Sequence, residues 1–99
     1  MKLKTEKIGT ELTVSLDGEL NALTAPELAA LLDAELNGIQ SLQLDFTKCD
    51  YVSSAGLRVL LNTFKLLKAA KGRMCLLHVG ENFMEVLENT GLDAVFDLQ

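Results

Sequence analysis

The sequence predicts a single α/β domain spanning residues 1–99: a mixed sheet of four to five strands covered by a layer of helices, in the order β-β-α-β-α-β-α-β. Three observations predict it. Two strand-like segments at the start are separated by only Gly9-Thr10, as in a hairpin. After them, apolar strand patterns alternate with helix patterns, the signature of parallel pairing through crossovers. The chain has 99 residues, 48% of them hydrophobic and only one a proline, so one compact core is expected and disorder is not.

Residues 2–8 and 11–17 are the hairpin strands. The second alternates cleanly, with Leu12, Val14 and Leu16 on one face and Thr13 and Ser15 on the other. Asp17-Gly18-Glu19-Leu20-Asn21 then leaves the sheet. Thr24-Ala25-Pro26-Glu27 reads as a helix start: Thr24 as cap, Pro26 in the tolerant first turn, Glu27 completing a capping box. That helix runs to about Leu36 with Leu28, Leu31, Leu32 and Leu36 as its inner stripe, and Asn37-Gly38 ends it. Ser41 to Phe46 is the next strand. A helix follows from about Ser54 to Ala70, stopped at Gly72. Met74 to Val79 is a nearly continuous apolar strand, as in a covered sheet interior. Glu81 to Asn89 is a third helix with Phe83, Val86 and Leu87 inward and Gly91 at its end, and Ala94 to Leu98 is a last short strand.

Composition excludes several functions. A net charge of −5 argues against a nucleic-acid binder and against adsorption to an anionic membrane. The N-terminus does not read as a signal peptide, and no apolar run approaches the ~20 residues of a membrane-spanning helix, so a cytoplasmic protein without membrane insertion is expected. Cys49 and Cys75 form no CxxC pair and no metal-ligand spacing with His78; both read as reduced, small buried residues. His78 is the only histidine and sits within an apolar strand. Asp45 and Asp50 flank a loop, where such carboxylates cap turns or, less often, take a cation. Neither GxGxxG nor a Walker sequence occurs. No catalytic residues, metal or cofactor are expected.

The chemistry centres on Asp50-Tyr51-Val52-Ser53-Ser54-Ala55-Gly56-Leu57-Arg58. Here two hydroxyls meet the free N–H groups at a helix start. On one reading Ser53 caps the helix and Ser54 only fills its first turn. On the other, one hydroxyl accepts a phosphate, whose ~−1.5 to −2 charge the helix N-terminus tolerates. The small Ala55 and Gly56 would let a partner come close. The helix carries a main apolar face (Leu57, Leu60, Leu61, Phe64, Leu67) and a second stripe (Val59, Thr63, Leu66, Ala70). That stripe either packs on a neighbouring helix or stays exposed to receive a partner.

The chain resembles the STAS domain, in particular the bacterial anti-sigma factor antagonists. The resemblance covers essentially its whole length. It rests on Leu16-Asp17-Gly18-Glu19-Leu20-Asn21 with Thr24-Ala25-Pro26-Glu27-Leu28, on Leu44-Asp45-Phe46 with Tyr51-Val52-Ser53-Ser54-Ala55-Gly56-Leu57, and on Asn89-Thr90-Gly91-Leu92 with Phe96. It implies a non-enzymatic switch. The unphosphorylated protein binds an anti-sigma factor that is also a serine kinase, phosphorylation of one serine weakens the complex, and a phosphatase resets it. Matching the block through its glycine places the phosphate on Ser54, with Ser53 the alternative. Asn21, Ser53, Gly56 and Arg58 would line the docking surface, extended by Val59, Thr63 and Leu66. Two positions depart from the family pattern, since Ser53 and Asn21 stand where well-studied antagonists carry aspartates. STAS-like proteins also serve as constitutive subunits of membrane lipid- or anion-transport complexes, which is the alternative function.

Overall fold

The computed structural model describes residues 1–99. In chain order the elements are β1 (Lys2–Ile8), β2 (Glu11–Asp17), α1 (Ala25–Glu35), β3 (Ser41–Lys48), α2 (Ser54–Ala69), β4 (Arg73–Leu77), α3 (Glu81–Thr90), a 3-10 turn (Leu92–Ala94) and β5 (Asp97–Leu98). The five strands form one sheet in the order β1-β2-β3-β4-β5. β1 is antiparallel to β2 and every later neighbour is parallel. The hairpin closes on Gly9, whose φ of 62° fits the first position of a two-residue loop between Ile8 and Glu11.

Register places the core. Leu12, Leu42 and Met74 lie side by side across β2, β3 and β4, as do Val14, Leu44 and Leu76, and all six are buried beneath the helices. Leu28 and Leu32 of α1, Leu60 and Leu67 of α2, and Phe83 and Leu87 of α3 close over these rows. Phe46 and Phe83 meet with ring centroids 4.9 Å apart. Each such side chain taken from water contributes ~1.5–3 kcal/mol, so these rows hold the layers together. On the opposite face the rows are Thr13-Gln43-Cys75 and Ser15-Asp45-Leu77, none of them fully buried. The Thr13 hydroxyl donates to Gln43 Oε1 at 2.8 Å. A single layer of helices therefore covers a single face of the sheet.

Several local expectations are corrected. β4 ends at Leu77, and its burial alternates along the strand instead of staying continuous, because only one face is covered. His78 lies beyond it, exposed and at φ 56°, and not within a strand. Cys75 is half-buried on the open face, whereas Cys49 is buried. The last strand shrinks to Asp97–Leu98, since Leu92–Ala94 winds into a 3-10 turn. Leu31 of α1 and Leu36 at its C-cap are only half-buried. Thr24 occupies the cap position of α1 without capping it, and no capping box forms. Its hydroxyl donates instead to the Glu19 carbonyl at 2.6 Å and accepts the Asn21 N–H at 2.8 Å, which closes the β2–α1 loop on itself.

Candidate functional site

The site is built where two loops leave the sheet side by side. The β2–β3 register slips by one residue, Ser15 pairing with Asp45 but Asp17 with Lys48. Gly18, at φ 125°, then turns the chain, and its N–H donates to the Lys48 carbonyl at 3.0 Å. Beyond the slip the pairing resumes as one parallel bridge between Leu20 and Val52. Leu20 N–H donates to the Tyr51 carbonyl at 2.9 Å, and Ser53 N–H donates to the Leu20 carbonyl at 2.8 Å. The serine pair is thus fixed through backbone to the loop carrying Asn21.

Ser53 has extended backbone (φ −83°, ψ 174°) and caps α2. Its Oγ accepts the Gly56 N–H at 3.4 Å and its carbonyl accepts the Leu57 N–H at 2.9 Å. Ser54 is the first helical residue. It is exposed, and its hydroxyl is not engaged in the cap that its neighbour supplies. Arg58, one turn on, is exposed as well. Asn21 is half-buried, and its Oδ1 accepts the N–H groups of Leu23 (2.9 Å) and Thr24 (3.1 Å), so it orders the approach to α1. An aspartate in this place would accept the same bonds with a charge; asparagine keeps the turn without it.

Asp50 reaches across to α3. Its Oδ2 accepts from Asn82 Nδ2 at 2.9 Å and its Oδ1 accepts the Phe83 N–H at 3.2 Å, so it caps a helix whose own cap residue is the side-chain-less Gly80. A methyl group on Gly80 would overlap that carboxylate. Asp45 is spent locally. Burial pushes its carboxyl up, but the Thr47 hydroxyl (2.6 Å) and N–H (3.0 Å) outweigh that and leave it below its ordinary range. Burial pushes the Cys49 thiol up, which keeps it protonated and unreactive.

The expected docking residues separate. Asn21, Ser53, Ser54 and Arg58 gather around the start of α2. Gly56 faces inward instead: a Cβ there would sit 2.7 Å from Leu20 Cγ and 3.0 Å from Val52 Cγ1. Its smallness serves the packing of α2 on the paired loops, not the approach of a partner. Thr63 is only 4% exposed, with its hydroxyl donating to the Val59 carbonyl, and is interior. Val59 is half-buried in the core margin, and α1 packs beside α2, so this part of the second stripe is used within the helical layer. Leu66 is 62% exposed, but it lies twelve residues beyond Ser54, ~18 Å along the axis. It borders a groove with Leu36 and Ile39, far from the serines.

Sequence reasoning missed Leu23 and Tyr51. They are 85% and 53% exposed, and they sit on the two paired loops. Their only sequence signal is a large apolar or aromatic residue inside a polar turn. The paired loops and the start of α2 therefore present an uncommitted hydroxyl, a cation and the two exposed side chains of Leu23 and Tyr51.

Comparison with known proteins places the chain in a family. The STAS domain model matches residues 2–99. BtrV of Bordetella bronchiseptica, described as an anti-sigma factor antagonist, is 37% identical over 97 residues, covering 97% of this chain and 84% of that protein. An anti-sigma-B factor antagonist of Bacillus subtilis is 27% identical over 88 residues, covering 89% and 81%. The crystal structure of an anti-sigma factor antagonist from Mycobacterium paratuberculosis superposes with a TM-score of 0.86 at 26% identity, covering 98% of this chain and 83% of that one. The chain belongs to the STAS domain family.

Proposed function

We propose that this protein is an anti-sigma factor antagonist that works by partner switching. With Ser54 unmodified it binds an anti-sigma factor that is also a serine kinase. Transfer of phosphate then forms a bond from Ser54 Oγ to the γ-phosphorus of ATP. ADP leaves, and the hydroxyl proton passes to a base of the kinase. The modified protein is released, and a phosphatase restores it.

The observation that carries this reading is the division of labour between the two serines. Ser53 makes the cap, which leaves the exposed Ser54 hydroxyl open to a kinase. A phosphate there adds ~−1.5 to −2 charges at a helix N-terminus, where negative charge is favourable, so the fold accepts it. A partner packed over Leu23, Tyr51 and Arg58 meets the same charge as bulk, repulsion and a desolvation cost. The relatives' names support an anti-sigma factor as that partner.

The test is the affinity of purified variants for the ATP-binding anti-sigma protein recovered with the native chain. Ser54→Ala is expected to bind as wild type does, and Ser54→Asp more weakly by tenfold or more. Equal affinities would rule the switch out. Recovery of a membrane transport ATPase in place of that protein would instead support a constitutive subunit.

A further inference from the structure

We infer that Arg58 is the internal receptor for a phosphate on Ser54, so that modification claims the one cation of the groove beside it. The inference rests on Ser54 being the acceptor, as proposed above. Ser54 and Arg58 line one groove of about 400 Å³ together with Leu57, Leu61, Thr90 and Leu92. Arg58 is the only charged residue among these six. It takes part in neither of the chain's two ion pairs, which join Lys7 to Glu35 and Arg73 to Asp97. The far wall offers no competing carboxylate: Leu92 is apolar, and the Thr90 hydroxyl donates within its own helix to the Val86 and Leu87 carbonyls.

Spacing makes the pair. Residues four apart on a helix have Cβ atoms ~5–6 Å from each other, and an anion placed N-terminal to its cation is the favourable order. A guanidinium is suited to receive two phosphate oxygens at once. Unmodified, Arg58 stands free beside the apolar floor of Leu57 and Leu61, available to a carboxylate of a docked protein. Modified, it is held by the phosphate, and the groove loses its positive charge as well as its open rim.

The experiment installs phosphoserine at position 54 during translation and follows its phosphorus resonance against pH. Three chains are compared: wild type, Arg58→Gln and Arg58→Lys. The helix terminus lowers the second phosphate pKa in all three, so the difference between them reads the side chain at 58. Loss of a unit charge at this range is expected to raise that pKa by about half a unit in Arg58→Gln. Arg58→Lys, which keeps the charge on an exposed position, is expected to restore most of the lowering. The same pKa in wild type and Arg58→Gln would overturn the inference. Because the phosphate is installed, a kinase that ignores Ser54 would overturn the proposed function and leave this result standing.

Discussion

The two sides of the first turn of α2 contrast in packing and exposure. On the inner side Gly56 presses against Leu20 and Val52, leaving no space for a methyl group, and the Ser53 hydroxyl is taken by the helix it caps. On the outer side, one residue away, Ser54 and Arg58 are exposed beside an open groove. The contrast teaches how a small domain can separate what fixes a helix start from what that start presents to solvent. The inner side fixes where the helix begins, and the outer side can change charge without disturbing what fixes it. Under the proposed function, a modification at Ser54 would be read by partners and not by the core.

That contrast is broken or sharpened by a graded series of substitutions, followed by urea unfolding of the purified chain. Leu60→Ala, deep on the inner face of α2, is expected to cost the most, ~2–5 kcal/mol, through lost burial and the cavity left behind. Gly56→Ala comes next, at ~1–3 kcal/mol, because Leu20 and Val52 must move. Ser53→Ala removes the cap and is expected to cost about 1 kcal/mol. Ser54→Ala closes the series, within about 0.5 kcal/mol of wild type, as an exposed position without a structural partner. If Ser54→Ala were as costly as Ser53→Ala, the two serines would share one structural role and the comparison would collapse. If Gly56→Ala were neutral, the inner side would not be closely packed.

The fold was legible in the sequence where a period carried it. Leu12, Val14 and Leu16 alternate and lie on the covered face of β2, and Gly9 closes the hairpin its position announces. Periodicity was silent where the answer depended on what lies opposite. Met74 to Val79 reads as nearly continuously apolar, yet within β4 only Met74 and Leu76 are buried beneath the helices, because nothing covers the other face. The buried line of α2 is Gly56, Leu60, Thr63 and Leu67. A glycine and a threonine carry no hydrophobic signal, so that line appeared rotated toward Leu57 and Phe64, and Thr63 looked available to a partner.

The site divides in the same way. The cap was readable because Ser53 acts within four residues of its own position. The Asp50 bonds to Asn82 and Phe83 join residues more than thirty apart, and no local pattern announces them. Leu23 and Tyr51 gain meaning only from the Leu20–Val52 bridge that sets their loops together. Local physics left the choice between Ser53 and Ser54 open; the STAS resemblance implies Ser54, and the engaged Ser53 cap is the observation on which the proposal of Ser54 rests.

The most direct test of the central claim is phosphosite mapping of the chain recovered from cells that express it, by mass spectrometry of wild type, Ser53→Ala and Ser54→Ala. A single phosphate on Ser54, kept in Ser53→Ala and absent in Ser54→Ala, is the predicted result. A phosphate on Ser53, or none under any growth condition in which the partner is bound and released, would contradict the account.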